Sequence, residues 1–198
     1  MENILYINAC IRQNSRTDEL AKYLLNKLKG NIEEVNLSME NIPLLTNDIL
    51  EKRTSLINKN EFSNEYFKWA KQFAKSDTIV ISAPYWDLSF PAILKIYFEA
   101  INITKLVFKY TQDGKIESLC KAKRLIFITT SGGPIIEPHV GLEYIKLLAK
   151  TFYDIPQIEY FKAEFLDIAG NNQNDILLKT KQEIDLYYNN DLQGYNND

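Results

Sequence analysis

The chain has 198 residues, 45% of them hydrophobic and 25% charged, with 23 Lys and Arg against 26 Asp and Glu for a net charge of −3. That length suits one domain with a real core, and the composition excludes a disordered chain. The charge is too mild to imply nucleic acid or a membrane surface as partner, and the longest apolar runs, residues 78–84 and 125–130, are strand-sized rather than membrane-spanning.

Residues 3–9 (NILYINA) are a short apolar run suited to a strand buried on both faces, and no basic leader precedes them. Leu20, Ala21, Leu24, Leu25 and Leu28 then recur at helical spacing, with Thr17 as a candidate cap and Gly30 as a stop. Residues 32–37 alternate as a second strand. Residues 47–75 read as one broken helix or two, with Phe62, Tyr66, Trp69, Ala70 and Phe73 on one face. A third strand is expected at 78–84, a helix at 91–101, a fourth strand at 124–130 and a helix around 140–152. A fifth strand at 157–165 and a closing helix at 175–188 complete the alternation, leaving 189–198 as a polar tail. Such alternation argues for an α/β domain with a parallel sheet covered on both sides. Residues 106–119 break the rhythm. Phe108 and Tyr110 alternate with polar residues there, and Asp113-Gly114 signals a hairpin turn. The domain is therefore expected to span 1–188 with this one insertion.

In an open parallel sheet, ligands sit beyond the carboxyl ends of the strands. Three loops leave strands at that edge. The first, residues 10–17 (CIRQNSRT), ends at a helix N-terminus, where free amides favour an anion. Ser15 and Thr17 add hydroxyls, and Arg12 or Arg16 adds charge. An ordinary surface loop capped by Thr17 reads the same way. The second, residues 84–91 (PYWDLSFP), sets Tyr85, Trp86, Leu88 and Phe90 after a buried strand, which suits a flat heterocycle or an apolar loop packed under the insertion. The third, residues 130–134 (TSGGP), allows a close approach to its backbone, or is a plain turn.

Together these residues resemble the flavodoxin-like NAD(P)H dehydrogenases, which include quinone reductases and FMN-dependent azoreductases. The matching pieces are Ser15-Arg16-Thr17 with Leu20-Ala21, Ala83-Pro84-x-Trp86 with Pro91-Ala92-x-Leu94-Lys95, Phe108-x-Tyr110, and Ser131-Gly132-Gly133. The resemblance implies a flavodoxin-like three-layer sandwich whose five-stranded parallel sheet has the order 2-1-3-4-5. It implies FMN as cofactor, NADH or NADPH as donor, and a quinone, azo compound or similar small acceptor. By position it assigns the FMN phosphate to Cys10, Arg12, Ser15, Arg16 and Thr17. The ring falls to Pro84, Tyr85, Trp86, Asp87 and Leu88, and its pyrimidine edge to Thr130, Ser131, Gly132 and Gly133. Cys10 replaces a frequent serine, and Asp87 a usual asparagine, which changes the polar contacts available. The resemblance also implies a homodimer, and the helix face of Ile93, Tyr97, Phe98 and Ile101 is expected to expose apolar surface for it.

Phe108, Tyr110 and His139 are candidates for the substrate pocket. His139 can donate to an acceptor or stabilise reduced flavin, or it can be a polar group at a helix start. No triad or metal spacing is visible, which accords with chemistry carried by a cofactor. Two other readings remain open on the sequence: a flavodoxin-type electron carrier without nicotinamide-dependent activity, and a non-flavin interaction protein on the same fold. The location expected for a chain with two widely separated cysteines is the cytoplasm.

Overall fold

Strand β1 (Asn3–Asn8) is apolar on both faces because helices cover both, and every residue after Asn3 is buried. The computed structural model describes residues 1–194 and builds outward from this strand. β2 (Asn31–Asn36) pairs with one edge of β1 and β3 (Thr78–Ser82) with the other; β6 (Arg124–Thr130) follows β3, and β7 (Gln157–Ala163) closes the sheet. All four pairings are parallel, and the order β2-β1-β3-β6-β7 is the 2-1-3-4-5 order of the flavodoxin-like fold. β4 (Phe108–Tyr110) and β5 (Ile116–Ser118) form a separate antiparallel hairpin at the insertion.

Period-two burial splits the apolar residues of the strands between two cores. On one face, Ile4 and Tyr6 of β1 pack with Leu20, Ala21 and Leu24 of α1 (Arg16–Leu25) and with Leu177 and Ile184 of α6 (Gln173–Gly194). On the other, Leu5 and Ile7 meet α2 (Asn47–Asn58), α3 (Lys68–Lys75), α4 (Ala92–Ile101) and α5 (Val140–Leu148) through Leu56, Phe73, Tyr97 and Ile145. The result is a three-layer sandwich.

Several boundaries differ from the sequence reading. The stretch 47–75 is two helices, as one of the two sequence readings had it, with a 3₁₀ turn at Glu65–Phe67 leading into the second. The helix expected to run to 152 ends at Leu148 and continues as a π turn, Ala149–Tyr153. The closing helix runs on through the expected tail to Gly194, and residues 195–198 lie outside the described part. The helix face proposed for dimerisation is corrected outright. Tyr97, Phe98 and Ile101 are at most 1% exposed inside the subunit's own core, and Ile93 is only partly covered.

Candidate functional site

Beneath the first loop lies a polar network that an apolar strand would not ordinarily carry. Asn8 donates from Nδ2 to Asp18 Oδ1 (3.0 Å) and Glu34 Oε1 (2.9 Å), and its Oδ1 accepts from the Cys10 amide (3.0 Å). The Tyr6 hydroxyl donates to Asp18 Oδ1 and bonds Ser82 Oγ, both at 2.7 Å. Burial and the Asp18 bond push the Tyr6 phenol far above its ordinary range, so it remains a donor. Asp18 is in the first turn of α1, so the network ties that turn to β1, β2 and β3.

The start of α1 is therefore fixed, and its cap is Ser15, whose hydroxyl accepts from the Asp18 amide. This corrects the assignment of Thr17 as cap. Thr17 is 1% exposed and turns inward, its hydroxyl 2.6 Å from that of Thr130 at the end of β6. Arg16 reaches along the opening, donating to Asp167 Oδ1 (2.8 Å) and to the Leu166 carbonyl (3.3 Å). Arg12 lies over the Trp86 ring, 5.8 Å from its centre.

These groups line a cleft of about 560 Å³ at the carboxyl end of the sheet, within the range of small-ligand sites. Arg12, Ser15, Arg16 and Thr17 form a polar end, Pro84, Tyr85 and Trp86 a wall, and Thr130 and Gly132 line the cleft from the end of β6, with Thr130 beside Thr17. The polar end joins the unbonded first amides of α1 to two guanidinium groups, a donor set suited to a phosphate. The wall suits the face of a tricyclic ring. The residues present thus fit FMN.

Other candidates lie elsewhere. Cys10 is buried beside Ser82, its Sγ 3.5 Å from the serine hydroxyl, and burial pushes the thiol up from its ordinary value. Asp87 and Leu88 are the centre of a tight turn closed by paired Trp86 and Ser89 backbone bonds, both with left-handed φ (49° and 66°). Neither lines the cleft; the turn's effect is to end the segment after Trp86. Ser131 is buried and Gly133 open, and both accept backbone bonds from the loop after β7. Phe108 packs on Phe152, with ring centres 4.5 Å apart, and Tyr110 projects from the hairpin at 60% exposure. Neither reaches the cleft within this subunit. His139 is 1% exposed and caps α5, its Nδ1 accepting from the Leu142 amide at 2.7 Å, while its ring lies 5.1 Å from that of Tyr85.

Sequence reasoning missed Asp167 and Gln173, which line the cleft from beyond β7. The rule that ligands sit at strand ends applies to that loop as well, but it carries no glycine pair or aromatic run to single it out.

The profile of the flavodoxin-like fold family matches residues 2–186. An FMN-dependent NADH:quinone oxidoreductase from Clostridium beijerinckii is 35% identical over 185 residues, 89% of this chain and 93% of that one. One from Coprothermobacter proteolyticus is 32% identical over 184 residues, 87% of this chain and 90% of its own. Among solved structures, an FMN-dependent NADH-azoreductase from Bacillus anthracis in complex with FMN superposes with a TM-score of 0.78 at 20% identity, covering 96% of this chain and 99% of that one.

Proposed function

The chain belongs to the flavodoxin-like fold family, and from that premise we infer that it is an FMN-dependent oxidoreductase passing electrons from NADH to a quinone or azo acceptor. The relatives that match nearly its whole length carry that activity in their names. The observation that carries the reading is the cleft, where a phosphate-suited helix start and an aromatic wall meet at one sheet edge.

In this reading Ser15, Arg16 and Thr17 would hold the phosphate, with Arg12 adding charge from the loop. Pro84, Tyr85 and Trp86 would lie along the ring, and Thr130 and Gly132 would border the cleft from the end of β6. Bound FMN supplies the hydride- and electron-transfer chemistry, so the protein needs no acid, base or nucleophile of its own. Its residues bind, orient and desolvate. The Asn8–Asp18 bond and the Thr17–Thr130 pair hold the helix start through protein contacts alone, which limits the ordering cost of binding.

A homodimer in the cytoplasm is part of the proposal. Ile136, Val140 and Leu147 are 54%, 59% and 62% exposed, and the last two share one stripe of α5. That apolar stripe supports a subunit contact near the cleft loops. Both cysteines are free thiols, which supports a reducing compartment. No helix among the described residues is long and apolar enough to cross a membrane.

The deciding experiment is stopped-flow absorbance of the FMN-loaded protein. NADH should bleach the flavin band, and a quinone or azo dye should restore it. Flavin that NADH does not reduce would leave an electron carrier as the better description.

A further inference from the structure

The loop after β7 is fastened to the Gly-Gly turn by three backbone bonds: Phe165 N–H to Gly133 (3.1 Å), Leu166 N–H to Ser131 (3.1 Å) and Asp167 N–H to Gly132 (2.9 Å), each accepted by a carbonyl. This places the Asp167 side chain against Gly132 so closely that a Cβ there would stand 2.3 Å from Oδ2. From that seat Oδ1 accepts from Arg16 at 2.8 Å. The Arg16 bond holds the Asp167 carboxyl below its ordinary range, with Arg12 adding to the effect, so the group is an anion at neutral pH. A carboxylate is an unfavourable wall for an anion pocket, yet this one lines the cleft beside Arg16.

We propose that Asp167 is a specificity-determining residue of the phosphate end: its carboxylate pairs with Arg16 and sets how tightly a phosphate-bearing ligand is held. The proposal rests on the reading that this cleft takes the FMN phosphate. A phosphate carries about −1.5 to −2 at neutral pH. To reach Arg16 it must take over or share the donor that Asp167 now uses, and it must approach a fixed negative charge. Both effects lower affinity for the phosphate and leave the ring contacts untouched. Riboflavin, which has the ring without the phosphate, is therefore indifferent to Asp167. The competing carboxylate makes the phosphate contribution smaller than Arg12, Arg16 and the α1 amides alone would give, and so keeps the cofactor exchangeable.

The test is titration of the full-length chain, stripped of flavin, with FMN and with riboflavin. Asp167→Asn keeps the side chain's shape and its acceptor oxygen while removing the charge. It should bind FMN about two- to five-fold more tightly, the range of a partly exposed charge interaction. Riboflavin affinity should not change, and the gain in FMN affinity should shrink at high salt. Weaker FMN binding in Asp167→Asn would overturn the proposal, because Asp167 would then be presetting Arg16 for phosphate. Unchanged FMN binding would overturn it too, as would equal tightening of FMN and riboflavin. Arg16→Ala tests the underlying reading separately. If it leaves FMN affinity intact, the phosphate lies elsewhere, whatever Asp167→Asn does.

Discussion

The hydroxyls of Thr17 and Thr130 lie 2.6 Å apart and join the first turn of α1 to the end of β6. One proton serves that mutual bond, which leaves the second hydroxyl proton free for an acceptor in the cleft. Thr17→Val should therefore raise the FMN dissociation constant by about 10- to 100-fold, the effect of losing a charge-assisted bond of about 1.5–3 kcal/mol. Ser15 is the cap, so Ser15→Ala should lower the stability of the flavin-free protein by about 1 kcal/mol. Flavin titration and urea denaturation of both variants separate the two roles. A Thr17→Val protein with unchanged FMN affinity would remove the phosphate from this loop.

His139 gives the protein a pH-dependent stability. Its Nδ1 accepts from the Leu142 amide, and burial lowers its pKa below the ordinary value near 6.5. The unfolded chain thus takes up a proton at higher pH than the folded one does. Its contribution to stability is complete above about pH 6.5 and is lost as pH falls toward the lower folded value. Urea midpoints between pH 7.5 and 5 should show the decline, and it should be reduced in His139→Asn, which keeps a capping acceptor.

Neither cysteine should react with thiol reagents in the native state near neutral pH. Burial pushes the Cys120 thiol up to about 12 and raises that of Cys10 as well, so the reactive thiolate is scarce in both. Titration with a chromogenic disulfide should register the two thiols only after denaturation. Prompt native reactivity of either would contradict its raised thiol pKa.

Leu147→Glu should convert a dimer to a monomer in light scattering at micromolar concentration. Leu147 is 62% exposed on α5, so the subunit's own fold should keep its circular dichroism and melting behaviour. A wild-type protein already monomeric with FMN bound and full turnover would refute the dimer.

The alternation of strands and helices was legible because each buried strand is a short apolar run bounded by polar or turn residues, as in residues 3–9 and 124–130. The hairpin was legible from Asp113-Gly114, where Gly114 has φ of 81°. What failed was whatever depends on rotation about an axis or on distant apposition. Ser15 and Thr17 are both hydroxyl residues two positions apart. Which one caps is decided by how Leu20 and Leu24 seat α1 on the sheet. α4 is apolar nearly all round, so its pattern could not say that Tyr97 and Phe98 face the subunit's own core. Phe108 alternates as a half-buried strand residue should, but its partner is Phe152, far along the chain. Asp167 gives no local signal, because its meaning lies in Arg16, 151 positions earlier.

The position of β1 between β2 and β3 has a consequence for how the protein folds. Asn8 and Ser82, whose side chains meet beneath the cleft, are 74 positions apart, and β6 and β7 add their loops from still later in the chain. Closing such long segments costs entropy before any contact compensates for it, so assembly is slow and cooperative. No contiguous fragment contains both the α1 end of the cleft and its Thr130–Gly132 side without most of the sheet between them. The complete cleft therefore forms only in a largely finished protein, and a ligand that fills it can trap the folded state by mass action.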